Sequence, residues 1–192
     1  TGYTVVNATV QSTKSGGPLA AAWALLHAVG DEGYLELARR TLEATRKIVA
    51  GLAALPGVRV LGTPEMSLVA FTAEGGSAAV FAIADAMKAR GWLVQAQLQG
   101  RGSPTNLHLT ISAGHLPVVD RFLADLRAAV EEAREHPADE GLAMLLHAAA
   151  TMDFTTMSPE SFAQALALVG VRDGQLPTRM AGINALLDAL PA

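Results

Sequence analysis

The sequence predicts an α+β protein, with helices at both ends and a mixed strand and helix region between them. Three observations carry this prediction. Hydrophobic residues fill 51% of the 192 positions and aromatic residues only 5%, a balance that suits helix-rich packing of small side chains. From Val58 to Glu135 the order reads strand, strand, helix, strand, strand, helix, as expected for one sheet covered by helices. Pro56-Gly57, Gly62-Thr63-Pro64 and Gly91 fall between these runs and not inside them, where turn and stop residues belong.

Taken in order, Tyr3 to Val10 is short and β-branched and reads as an extended segment. Ser12-Thr13-Lys14-Ser15-Gly16-Gly17-Pro18 then leads into a helix from Pro18 to Val29, stopped by Gly30. Asp31 caps a second helix, in which Leu35, Ala38, Leu42, Ile48, Val49, Leu52 and Leu55 form an apolar stripe at helical spacing. Arg39, Arg40, Glu43, Arg46 and Lys47 occupy its solvated faces. Val58-Arg59-Val60-Leu61 and Ser67 to Phe71 are strands, and Ser77 opens a helix carrying Val80, Phe81, Ala84 and Met87. Two further strands, Trp92 to Leu98 and Asn106 to Ile111, flank the turn-rich segment 99–105. A long helix from Pro117 to Glu135 ends before Pro137. The remainder is helical: Leu142 to Ala148, a helix opened by the cap Ser158 with Pro159 in its first turn, and a third around Arg179 to Leu190. Ala138-Asp139-Glu140-Gly141 reads as a hinge.

Composition excludes several classes. No cysteine means no disulfide, no thiolate nucleophile and no Cys-based zinc site, which is compatible with a cytoplasmic location. A net charge of -4 offers nucleic acid no basic face. The longest apolar run, Leu19 to Val29, is shorter than the ~20 residues a membrane span needs. His27, His115, His136 and His147 lack metal-ligand spacing, and no Gly-x-Ser-x-Gly elbow is present. The start at Thr1-Gly2-Tyr3, without Met or a signal-peptide pattern, reads as a cut through a longer protein.

Two places hold residues suited to binding. The Ser/Thr/Lys-Gly-Gly-Pro turn is either a plain capped turn or a phosphate cradle, because its glycines allow close approach and the helix behind it presents free N–H groups. On the strand Asn106 to Ile111, alternation places Leu107, Leu109 and Ile111 on one side and His108 and Thr110 on the other. His108 is therefore either a satisfied structural imidazole or a site residue. Arg101, in the preceding turn, is either a solvated cation or a partner for an anionic substrate.

The chain also carries a family resemblance. Thr13-Lys14-Ser15-Gly16-Gly17, Ala20-Ala21-Ala22-Trp23-Ala24 and Gly30-Asp31-Glu32-Gly33-Tyr34 resemble a Ser-Arg-Pro-Gly-Gly, Ala-Ala-Cys-Trp, Gly-Glu-Asn-Gly-Tyr series. That series belongs to sphingosine-1-phosphate lyases and related group II pyridoxal-phosphate-dependent decarboxylases. Lys88-Ala89-Arg90-Gly91-Trp92, Asn106 to Ile111 and Leu142 to Asp153 continue the likeness in collinear order.

The resemblance implies the rear part of a fold-type I pyridoxal-phosphate enzyme: residues 1–17 end the large domain, 18–56 are linker helices, 57–137 form a small α+β domain with a helix-covered antiparallel sheet, and 138–192 are a helical extension. It implies a lyase, either an amino-acid decarboxylase or a carbon–carbon aldehyde-lyase, built as a homodimer on a cofactor that stabilises the carbanion left at the substrate's α-carbon. Ser12, Thr13 and Lys14 would contact the cofactor phosphate, and His108 and Arg101 the substrate, an amino acid or a phosphorylated amino alcohol. Lys14 stands where the family has Arg, a point charge in place of a planar fork. The Schiff-base lysine of the family follows a His; Lys14, Lys47 and Lys88 do not, so this stretch alone is expected to be inactive. A non-catalytic dimerisation or binding module derived from the fold is the alternative.

Overall fold

A computed structural model describes residues 15–100, 102–137, 140–150, 158–172 and 174–190. The chain divides into two compact units, Thr1–Arg39 and Arg40–Ala192. The extended segment expected at Tyr3 to Val10 lies outside the described residues.

Helix α1 (Gly16–Ala53) is interrupted at Gly30, whose φ of 62° and ψ of 175° are not helical. Only glycine takes such a backbone without strain, so the stop read from the sequence appears as a break within one long element. In the first unit the helix leaves Leu19, Trp23, Leu25 and Leu26 exposed, with Trp23 tilted against His27 at 4.3 Å between ring centroids. Leu35 and Ala38 of the anticipated stripe are also exposed. In the second unit the same helix buries Ala44, Thr45, Ile48 and Leu52.

The second unit is built on a four-stranded sheet: β1 (Val58–Leu61), β2 (Leu68–Ala73), β3 (Gln95–Gln97) and β4 (Asn106–Thr110), in the order β1-β2-β4-β3 with every pair antiparallel. This is the α+β arrangement the sequence predicts. Helix α2 (Gly76–Ala89) carries the chain from β2 to the far edge strand. It starts one residue before the anticipated Ser77, behind Gly75 in the left-handed conformation. Ala113–Val118 forms a 3-10 turn that contains Pro117, and α3 (Val119–Glu135) follows. The long helix therefore begins two residues later than expected, with the proline in the tighter turn, which tolerates its missing N–H.

Alternation along the strands decides which face is the core. Val69, Phe71, Leu107 and Leu109 are buried and join Val80, Ile83 and Met87 of α2 and Phe122, Leu126 and Val130 of α3 in one cluster. Register aligns His108 with Ala70 on one side and Gln95 on the other, and Thr110 with Leu68. These residues belong to the opposite face, where Leu68 is 60% exposed.

Three more helices complete the unit: α4 (Glu140–Ala149), α5 (Pro159–Leu168), capped by Ser158 as expected, and α6 (Ala181–Ala189). Leu145, Ala149, Ala165, Val169 and Leu186 form their own small core, while α6 also packs on α2.

Candidate functional site

The alternation that buries Leu107 and Leu109 turns His108 to the opposite face of β4, the orientation the sequence predicts for it. It lines a cavity of about 280 Å³ with Gln95, Thr110, His115 and Trp92, and the same cavity reaches the core-side residues Leu109 and Phe122. Nδ1 of His108 is buried without a hydrogen-bond partner. Asn106, two residues earlier on the same strand face, likewise has a buried, unpartnered Oδ1, its Nδ2 being given to the carbonyl of Pro104 at 2.9 Å. Leaving a buried polar atom unpaired costs about 1–3 kcal/mol, so each such atom calls for a partner, either water or a bound group.

The cavity wall is held rigidly. Trp92 Nε1 donates to Asp125 Oδ2 at 2.7 Å, its ring meets Phe122 edge-on at 5.3 Å, and the Arg121 guanidinium lies 5.1 Å from the ring centroid. His115 Nδ1 accepts from the backbone N–H of Ser112 at 2.8 Å, which leaves the proton of its neutral ring on Nε2. The site thus offers two imidazoles, an amide and a hydroxyl, set in apolar walls. Such a lining suits a small molecule with a few polar groups.

Of the candidates read from the sequence, His108 is placed at the cavity. Ser12, Thr13, Lys14 and Arg101 lie outside the described residues. At the start of α1, Gly17 N donates to Ser15 Oγ at 3.3 Å. Of the two lysines in the described residues, Lys47 pairs with Glu43 at 3.0 Å and Lys88 is exposed on α2. Neither lines the cavity. No lysine amine is among the residues that line this cavity. Gln95, His115 and Trp92 were not singled out by sequence reasoning. Gln95 becomes visible only through the β3–β4 register, which no local pattern states.

Comparison with known proteins gives the class. Residues 138–192 match the family described as pyridoxal-dependent enzyme, C-terminal putative HTH domain. The sphingosine-1-phosphate lyase of Arabidopsis thaliana is 36% identical over 77% of this chain and 26% of its own length. A probable L-aspartate decarboxylase of Thermococcus gammatolerans is 30% identical over 50% of this chain and 24% of its own. Among solved structures, the sphingosine-1-phosphate lyase of Burkholderia pseudomallei superposes with a TM-score of 0.57 at 32% identity, covering 76% of this chain and 31% of that one. Fold and matches together define a C-terminal portion of a pyridoxal-dependent enzyme. The matches support the group II decarboxylase-like family for this chain, which spans about a quarter of the length of the curated relatives it matches. Among the described residues no helix is long and apolar enough to cross a membrane.

Proposed function

We propose that this chain supplies the substrate-facing wall of a pyridoxal-phosphate-dependent lyase, with His108 as the group that meets the substrate. The observation that carries the reading is the orphaned, buried Nδ1 of His108 at a cavity, in a chain similar to two kinds of lyase. A neutral imidazole gives or takes one hydrogen bond at that atom, so its role is to orient a polar group of the substrate. Gln95 and Thr110 stand beside it to bind or exclude water.

Ser12, Thr13 and Lys14 are the proposed contacts of the cofactor phosphate, and Arg101 a second contact of the substrate. The amine that holds the cofactor would come from a part of the protein beyond these residues, so the stretch by itself is inactive. The exposed Leu19, Trp23, Leu25 and Leu26 support a homodimer, because an apolar run of that kind calls for cover. Similarity to the Arabidopsis lyase favours a phosphorylated amino alcohol and carbon–carbon cleavage; similarity to the Thermococcus protein favours an amino acid and release of CO2.

In the intact protein, aldehyde release and CO2 release are measured on these two substrate classes for His108→Leu and His108→Asn. Loss of one hydrogen bond in the complex predicts a fall in kcat/KM of about tenfold or more for the leucine variant. Asparagine, which places a polar atom near that of Nδ1, restores most of it. A leucine variant within twofold of the parent on the active substrate removes His108 from the site.

A further inference from the structure

Asp188 stands one residue from the end of α6 and is only 5% exposed. Both facts make it costly. A carboxylate near a helix C-terminus opposes the macrodipole, and a buried one needs hydrogen bonds to replace its water. The replacements come from across the fold. Asp188 Oδ1 accepts from the backbone N–H of Gln99 at 2.6 Å, and Oδ2 accepts from the Thr105 hydroxyl at 2.5 Å. The side-chain amide of Gln99 donates in turn to the Asp188 carbonyl at 2.8 Å.

Gln99 and Thr105 are the second and the last residues of the connection between β3 and β4. One side chain on the C-terminal helix therefore holds the connection near both of its ends. Thr105 passes the restraint on, since its carbonyl accepts from Thr72 Oγ1 of β2 at 2.8 Å, and three residues further along lies His108. The other end of α6 is also fastened. The N–H of Ala181 donates to Asp85 Oδ2 of α2 at 2.7 Å, and Arg179 reaches Glu132 of α3 at 3.3 Å.

We propose that the C-terminal helices act as an intramolecular clamp with Asp188 as its pin, tying the β3–β4 connection to α6 near both of its ends and so fixing how β4 presents His108 to the cavity. Asp188 is then a positioning residue. The chemistry of the segment fits this use better than a nucleic-acid reader of helix-turn-helix type. Residues 138–192 carry two arginines, Arg172 and Arg179, against six carboxylates, whereas phosphate contacts need several cations. One of those arginines is already engaged with Glu132, and α5 has no basic residue.

The clamp is tested in the intact protein, independently of its activity, by hydrogen–deuterium exchange and by the rate at which diethyl pyrocarbonate modifies His108, both read by mass spectrometry. Asp188→Ala raises exchange in a peptide covering residues 98–106 at least tenfold and changes the modification rate of His108 severalfold, while a peptide within α3 around Leu126 keeps its protection. Asp188→Asn restores both, because its amide accepts from Gln99 and donates to the Thr105 hydroxyl. Where Asp188→Ala fails to fold, Thr105→Val removes one of the two donors and gives the same changes at smaller size. Unchanged exchange and an unchanged His108 rate in the variant that folds overturn the proposal. So does saturable binding of a labelled DNA duplex at low salt that Arg172→Ala abolishes.

Discussion

Trp92 ties three interactions into one wall of the cavity, and replacing it by phenylalanine separates them. The indole N–H donates to Asp125 at 2.7 Å. A hydrogen bond to a charged partner contributes about 1.5–3 kcal/mol, and because the Asp125 side chain is 30% exposed the low end, about 1.5 kcal/mol, applies. Arg121 over the ring is 68% exposed, which limits its cation–π share to about 0.5 kcal/mol. Phenylalanine keeps part of the edge contact with Phe122 and loses about 0.5 kcal/mol of it. Trp92→Phe is therefore expected to cost about 2–3 kcal/mol, with the hydrogen bond as the largest share. A double-mutant cycle with Asp125→Ala isolates that share, at a coupling of about 1.5 kcal/mol. Arg121 touches both partners, 3.6 Å from Asp125 and above the ring, so the cycle is repeated in Arg121→Gln to remove its contribution. Urea denaturation is followed by circular dichroism, since the variant loses one of only two tryptophans. A coupling below about 0.3 kcal/mol, within the additivity expected of independent sites, refutes the assignment of the indole–carboxylate bond as the main restraint.

Three further outcomes are expected. Leu126 is fully buried in α3, so Leu126→Ala is expected to lower unfolding free energy by about 3 kcal/mol, and a loss under about 1 kcal/mol in urea melts contradicts its place in the core. The hydrogen bond from Arg90 at 2.9 Å, together with the charges of Arg90 and Arg179 and against partial burial, holds the Glu132 carboxyl below its usual range. A depressed carboxylate pKa means its stabilisation is complete above the ordinary glutamate pKa and is lost as pH falls through the lowered value. Glu132→Gln should accordingly flatten the acid limb of a stability–pH curve by up to about 1 kcal/mol, and an unchanged limb speaks against the pair. Gly57 has φ of 71°, and a Cβ there would crowd the Arg134 guanidinium, which donates to the Pro56 carbonyl. Gly57→Ala then destabilises by about 1–2 kcal/mol, whereas an unchanged melting temperature shows that this turn relaxes freely.

How much of this was legible in the sequence depends on the range of the force that decides it. The strands at 58–61 and 106–110 were legible because alternation of side chains across a pleat is written in adjacent residues. Ser158-Pro159 marked the start of α5 because a cap and a first-turn proline act within one turn. Leu35 and Ala38 show the limit. They share the helical spacing of Ile48 and Leu52, yet the first pair is exposed and the second buried. Periodicity says which residues share a face, and only the tertiary fold says where that face finds a partner.

The site divides along the same line. The face of His108 was legible because it holds a polar phase of the alternation with Leu107 and Leu109, and its Nδ1 lies unpaired beside a cavity. Asp188 left a weaker mark: a lone carboxylate directly after the apolar run Ala185-Leu186-Leu187, on the wrong side of the helix dipole. A residue that opposes its own helix must be satisfied from elsewhere, and the sequence does not say by what. Its partners, Gln99 and Thr105, stand 89 and 83 residues away along the chain. The same reasoning makes the clamp more than a packing contact, since an apolar side chain at 188 would avoid both the dipole and the desolvation penalty. Only a requirement to hold two polar ends together, one N–H and one O–H, gives the carboxylate its advantage. That requirement belongs to the connection that leads into His108.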